Sequence, residues 1–215
     1  MSQLGPLLVL GAGGHGKVVA DAARSAGWIL AGFLDDAPQL DGTEIWGLGV
    51  FALARLRTDQ PGLLSAALAL GVGDNGARER AHTRFLAEGF RVVSVVHATA
   101  AVSPTAILGE GTVVMANATI NPDARLGRGC IVNTGAVVEH DCLLGDYVHL
   151  SPNAALGGMV TIGARTHLGL GSVILPGRSI GQDVRVGAGA AVIRDAGDSL
   201  TLVGLPARPI ARKYK

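Results

Sequence analysis

HATAAV SPTAIL GEGTVV MANATI NPDARL GRGCIV NTGAVV EHDCLL GDYVHL SPNAAL GGMVTI GARTHL GLGSVI LPGRSI GQDVRV GAGAAV, residues 97–192, is an unbroken run of 16 hexads. The sixth position is Val, Ile or Leu in all 16; the fourth is small or Val in 15, with Arg178 the exception; the first is Gly in eight. No ordinary helix or strand sustains a six-residue period over this length, so the period itself reports the fold. Side chains alternate between faces along a strand, so positions four and six point inward together and position five points out. Glycine at position one is expected to let the chain turn a corner. Three hexads make one triangular coil, and residues one coil apart stack at roughly 4.8 Å. The spacing predicts a parallel β-helix and leaves its hand open.

The bulk composition fits this reading. With 4% aromatic residues and 32 glycines, the core must be built from aliphatic and small side chains in a regular arrangement. A net charge of +1 without a long basic run argues against nucleic acid as a partner. No apolar stretch is long enough to suggest a membrane span. Two cysteines make no disulfide framework, and no signal peptide is read at the N-terminus, so a cytoplasmic setting is expected. Cys130 and Cys142 occupy fourth positions and read as core.

Ahead of the hexads the pattern changes. Leu7–Leu10 reads as a strand, Lys17–Ala26 as a helix, Trp28–Leu34 and Ala66–Val72 as strands, Ala77–Glu88 as a helix and Phe90–Val96 as a last strand. This alternation predicts a small Rossmann-like parallel α/β domain over residues 1–96. Residues 97–192 form the β-helix, and 193–215 a C-terminal segment with a basic tail of Arg212, Lys213 and Lys215.

Several residues carry chemistry. Gly11, Gly13 and Gly16 match a dinucleotide fingerprint, with Asp35 nearly twenty residues on. The domain is short for two mononucleotide halves. A nucleotide diphosphate on the amides at a helix N-terminus is therefore preferred to a nicotinamide cofactor; a tight turn is the plain alternative. His140 lies beside a corner with Asp141 next to it. An imidazole titrates near neutral pH, and a carboxylate can fix its tautomer, so His140 is a candidate general base. A surface histidine is the alternative. His149 and His167 are one coil apart and should stack, as contacts to a substrate or acyl donor, as a zinc site, or as solvated surface. Gly158 lies one coil beyond His140. Its bare backbone could bring an N–H to a developing oxyanion, or it could merely turn a corner with Gly157.

The order Gly-Ala-Gly-Gly-His-Gly (11–16), Phe-Leu-Asp-Asp (33–36), Gly-Val-Gly-Asp-Asn (71–75), Asn-Thr-Gly-Ala-Val-Val-Glu-His-Asp-Cys (133–142) and Val-Gly-Leu-Pro-Ala-Arg (203–208) resembles the sugar O- and N-acyltransferases of the sialic-acid acetyltransferase type. UDP-4-amino-sugar (bacillosamine-pathway) and GDP-perosamine N-acetyltransferases belong to that group. The resemblance implies a left-handed β-helix, a homotrimer with the site at the subunit interface, and acetyl-CoA as acyl donor without a metal. It implies His140 as base, with Asp141 and Asn133 at active-site positions. The nucleotide of the acceptor sugar would lie against Gly11, Gly13, Gly14, His15, Gly16, Lys17, Asp35, Asp36, Gly73, Asp74 and Asn75. Coenzyme A would lie toward the C-terminal end, near His149, Gly158, His167, Gly169, Gly187, Pro206 and Arg208. The expected reaction is N-acetylation of a nucleotide-linked amino-deoxysugar, most simply at C4. The alternatives are O-acetylation of sialic acid or another sugar hydroxyl, and, from another class, a zinc carbonic anhydrase on a similar coil.

Overall fold

The computed structural model describes residues 4–210. They fall into two units that divide between Ala98 and Thr99.

The first unit runs β1 (Pro6–Leu10), α1 (Gly14–Ser25), β2 (Ile29–Leu34), β3 (Glu44–Ile45), β4 (Leu48–Phe51), α2 (Leu53–Asp59), a 3-10 turn (Pro61–Ser65), β5 (Ala67–Leu70), α3 (Asn75–Ala87) and β6 (Arg91–Val92). The sheet order is β3-β4-β2-β1-β5-β6, parallel except for the β3–β4 hairpin. β1 and β5 are apolar and buried along almost their whole lengths, as strands covered on both faces must be. The expected strand 90–96 is instead two short pieces, Arg91–Val92 and Val95–Val96, because β6 pairs only with Ala67 and Leu68 of β5. The hairpin, α2 and the 3-10 turn fill the stretch between the second and third expected strands, where no periodic pattern is read.

β1 lies between β2 and β5, so strand addition reverses there and a crevice opens beyond the C-terminal ends of β1 and β5. Two loops meet at it. A Cβ on Gly11 would stand 2.8 Å from the Gly71 carbonyl oxygen, and one on Gly16 would stand 1.9 Å from that of Gly11. These glycines are fixed by backbone-to-backbone approach.

In the second unit each strand is the two-residue fifth and sixth position of a hexad. The ladders are parallel and stack by coil: Ile131 pairs with His149, His149 with His167, and His167 with Arg185. Sixth positions from Val114 onward are buried. Four fourth-position donors satisfy carbonyls of first positions, whereas the buried Ser172 hydroxyl finds no acceptor. Thr112 and Thr166 hydroxyls donate to Gly127 and Gly181, and the Cys130 and Cys142 thiols donate to Gly145 and Gly157. Both cysteines are core, as expected, and burial raises the Cys142 pKa.

Two expectations are corrected. The corner is made at position three and not at position one. Every third position from Gly111 to Gly189 is left-handed, with φ between 56° and 71°. Eight of these residues are not glycine: Asn117, Asp123, Asp141, Tyr147, Asn153, Met159, Arg165 and Asp183. The first-position glycines serve the next coil instead, since a Cβ on Gly163 would stand 2.4 Å from the Gln182 nitrogen. Position five is also not uniformly exposed. Val113, Ile131 and His149 are buried, whereas Arg125, Leu143 and Thr161 are exposed.

The last coil is closed by residues 193–210. Ala196 bridges to Ile180, and Asp195 and Asp198 accept from the Ser179 and Gln182 N–H groups. Thr201–Val203 adds in parallel to Arg185–Val186, and Arg208–Pro209 returns antiparallel along it. The Ala207 N–H donates to the Ala191 carbonyl. Arg212, Lys213 and Lys215 lie outside the described residues.

First and third positions should respond differently to mutation. Gly163→Ala should cost at least ~2 kcal/mol by overpacking against the next coil. Asp123→Gly should change stability by less than ~1 kcal/mol, because glycine occupies the left-handed region freely. Urea midpoints of the two variants check this; equal losses would contradict it.

Candidate active site and nucleotide crevice

His140 stands at the second position of its hexad, immediately before left-handed Asp141 (φ 60°). The two side chains meet with Nδ1 2.8 Å from Asp141 Oδ2, and both are about half exposed. Donation from Nδ1 leaves the lone pair of the neutral ring on Nε2. The hydrogen bond to Asp141 raises the His140 pKa above its ordinary value, with a smaller contribution from the Glu139 charge. Nε2 is turned toward Gly158: a Cβ there would stand 2.5 Å from it. Only glycine leaves room for the ring. Gly158 is held by its neighbours, since the Met159 N–H donates to the His140 carbonyl and the Gly157 N–H to that of Ile174. The Gly158 N–H takes no part in these ladder bonds.

On another face, Asn133 Nδ2 lies 3.3 Å from His149 Nε2, and the Ser151 hydroxyl lies 2.8 Å from His167 Nε2. The His149 and His167 rings stack with centroids 4.5 Å apart and planes within 5°. Stacked rings direct their lone pairs in parallel, whereas two ligands of one tetrahedral zinc must converge. Among the described residues no three His, Cys, Asp or Glu side chains group to hold a metal. Beside His167 runs a groove of about 310 Å³ lined by Gly169, Arg185, Gly187 and Thr201. A second hollow of about 260 Å³ in the closing segment is lined by Arg194 and Arg208. Pro206 is exposed in the turn before Arg208.

The crevice of the first unit has a different character. Gly13 caps α1 without a side-chain bond, and the first turn carries no acidic residue. Gly13, Gly14 and Lys17 are exposed, and a Cβ on Gly13 or Gly14 would meet nothing. Asp35 has a role that motif matching did not reveal. Its two oxygens accept from the Ala12 and Ala37 N–H groups, at 2.8 and 2.9 Å, tying the glycine loop to the end of β2. Asp36 is ion-paired with Arg84. Asp74 caps α3 by accepting from the Ala77 N–H at 2.8 Å, and Asn75 Oδ1 accepts from Arg78. His15 is largely buried, and burial, aided by the Arg78 charge, lowers its pKa to about 4. It is neutral at physiological pH. Sequence reasoning missed Arg78 and Arg84, since charged residues on a helix ordinarily read as its solvent face.

Comparison with known proteins gives a consistent picture. Residues 6–85 match the PglD N-terminal domain, and residues 105–140 match the bacterial transferase hexapeptide (six repeats). The chain is 41% identical over 108 residues to UDP-N-acetylbacillosamine N-acetyltransferase of Bacillus subtilis (strain 168), an alignment spanning 49% of each chain, so the match covers about half of that relative. It is 40% identical to PerB from Caulobacter crescentus, solved in complex with CoA and GDP-perosamine, with a TM-score of 0.89 over 97% of this chain and 98% of that one. It is 38% identical to the acetyltransferase domain of PglB from Neisseria gonorrhoeae FA1090, solved in complex with acetyl coenzyme A, with a TM-score of 0.88 over 95% and 98% of the two chains.

The His140–Asp141 pair sets a titration. An NMR pH titration should place the His140 pKa above 6.5. Asp141→Asn should bring it down, because a neutral amide no longer favours the imidazolium. A value unmoved by the substitution would remove Asp141 as the cause.

Proposed function

We propose that this chain, which belongs to the family of hexapeptide-repeat N-acetyltransferases with a PglD-type N-terminal domain, transfers an acetyl group from acetyl-CoA to the amine of a nucleotide-linked amino-deoxysugar. Residues 1–96 bind the sugar nucleotide, 97–192 carry the acyl-transfer chemistry, and 193–215 are the C-terminal segment, of which 193–210 close the coil. The observation that carries this reading is the His140 ring, held by Asp141 at Nδ1 and turned with Nε2 toward Gly158.

The amine nitrogen attacks the thioester carbonyl carbon, and His140 Nε2 takes its proton as the C–N bond forms. The Gly158 N–H donates to the carbonyl oxygen as negative charge develops there. Collapse of the tetrahedral intermediate breaks the C–S bond, and the imidazolium returns the proton to the leaving thiolate, giving CoA and the acetamido sugar. Asp141 stabilises the imidazolium through Nδ1–H. Asn133 and His149 border the acceptor and acyl donor, with the donor running toward His167, Gly169, Gly187, Pro206 and Arg208. The groove beside His167 supports that placement. In the crevice, Gly11–Lys17 and Gly73–Asn75 receive the nucleotide, with Asp35 fixing the loop and Asp36 facing the ligand.

A homotrimer with the site completed by a neighbouring subunit is part of this reading. It is supported by the half-exposed His140–Asp141 pair and by exposed Met159, Leu170, Val173 and Leu175 on the coil. The protein is expected to act in the cytoplasm, and among the described residues no helix is long and apolar enough to cross a membrane. O-acetylation would use the same His140 chemistry, but the helix-N-terminal crevice favours a diphosphate-bearing acceptor. The stacked histidines do not favour a zinc enzyme.

Mass spectrometry of products from a panel of UDP-, GDP- and dTDP-linked amino sugars with acetyl-CoA tests the reaction. Acetylation of none of them would refute it. His140→Ala should lower turnover by about 100-fold or more while the trimer persists in analytical ultracentrifugation; turnover within a few-fold of wild type would exclude His140 as base. A Cβ at Gly13 meets nothing, so Gly13→Val should leave stability intact, raise the KM of the sugar nucleotide and spare that of acetyl-CoA. In an acetyl-CoA complex the thioester oxygen should lie within roughly 3.2 Å of the Gly158 nitrogen; an oxygen facing solvent would exclude that donor.

A further inference from the structure

The inward stripe of α3 is Asn75, Arg78, His82 and Phe85. A helix packed on a sheet ordinarily buries an apolar stripe, and a buried polar group is costly unless its bonds are arranged. Here three of the four inward residues are polar, and two of them, Asn75 and Arg78, lie in the first turn, at the end of the helix that borders the crevice. Arg78 is completely buried. Its Nη1 donates to the carbonyls of Val72 and Gly73 at 3.1 and 3.0 Å, and its Nη2 donates to Asn75 Oδ1 at 2.8 Å.

These bonds have a geometric consequence. In a trans peptide the C=O and the following N–H point in opposite directions. With the Val72 and Gly73 carbonyls drawn inward to the guanidinium, the N–H groups of Gly73 and Asp74 point away from it. Neither N–H donates to a backbone or side-chain acceptor of the described residues. Successive amides facing one way, with a helix N-terminus beside them, make an anion-binding concavity. The glycine loop stands across the crevice, where His15 approaches within 3.8 Å of a Cβ placed on Gly73. Arginine stays protonated at any physiological pH.

We propose that Arg78 is the positioning residue of a diphosphate subsite: it turns the Gly73 and Asp74 N–H groups toward the ligand and sets a fixed positive charge behind them. The neutral His15 adds no charge of its own, and the Asp74 carboxylate already caps the start of α3, so the attraction for an anion comes from Arg78, the two amides and the uncapped N-terminus of α1. The inference rests on the reading of the crevice as the nucleotide end of the acceptor site.

The experiment compares Kd values by calorimetry for UDP, GDP and dTDP with those for uridine, guanosine and thymidine. It uses the full chain as wild type, Arg78→Lys and Arg78→Met. The wild type should prefer a nucleoside diphosphate to its nucleoside. Arg78→Met should reduce that preference by about tenfold or more, the scale of a lost hydrogen bond to a charged group. Arg78→Lys, which keeps the charge and loses the fork, should fall between. A loop that was merely loosened would weaken nucleoside and diphosphate by the same factor, and that outcome overturns the proposal, as does an unchanged ratio. Should Arg78→Met fail to fold, the ratio in Arg78→Lys decides: a preference equal to that of wild type overturns the proposal. A wild type without preference for any diphosphate sinks the nucleotide reading together with this one, whereas a preference that survives in the variants sinks this one alone.

Discussion

The second unit depends on one backbone constraint, a left-handed residue at the third position of every hexad from Gly111 onward. Each such residue re-aims the chain between two short strands, and the repetition keeps residues one coil apart in register. Without that register the first-position carbonyls would not meet the donors at position four, and the small core side chains would not stack. The left-handed region costs a residue with a Cβ roughly 1–2 kcal/mol. The ladder bonds around each corner over-determine the conformation, which is how strained residues persist. Asp141 is one of these corners. The constraint that builds the coil therefore also fixes the backbone from which its carboxylate reaches His140, and the same register sets Gly158 against the ring.

Much of this was legible in the sequence because the signal repeats. A Val, Ile or Leu at every sixth residue cannot be mistaken once many periods are seen, and the stacking of His149 on His167 and of Gly158 against His140 follows by adding one coil. The corner itself was misread, although its column carries a signal. Glycine is frequent at position one, so the turn was expected there, yet those glycines answer the close approach of the next coil. The actual corners carry Gly, Asn or Asp at 11 of 14 third positions, the residues that tolerate the left-handed region best, and Tyr147, Met159 and Arg165 interrupt that column. In the first unit the glycine loop was visible from its spacing, but the work of Asp35 as a tie between β2 and that loop was not, since a hydrogen bond to Ala12 depends on two segments meeting in space. Arg78 was invisible for the opposite reason. The sequence of α3, rich in arginine, reads as solvated, and only the packed helix reveals which arginine turns inward.

The two candidate regions use charge differently. In the crevice the positive groups are held by the fold, with a buried guanidinium and the uncapped start of α1, and His15 is kept neutral by burial. At His140 the pair is half exposed, so its hydrogen bond is open to competition from water. Under the proposed reaction, bound reactants would displace that water and strengthen the Asp141 contact, because electrostatic interactions grow as the local dielectric falls. Preorganisation thus resides in the first unit, while the chemistry of the second gains strength from being covered.

A stack of parallel strands ends in rows of unpaired N–H and C=O groups, and such an edge is a template onto which another chain can add indefinitely. Residues 193–210 remove that template on the last coil. Aspartates take two of its N–H groups, Gly204 and Ala207 engage Ala191, and the returning strand runs antiparallel and carries Pro209, which offers no N–H to an incoming strand. The coil is a potentially endless fibre with a built-in terminator. Its length is thus decided by where that terminator was placed in the chain and not by any limit within the repeat.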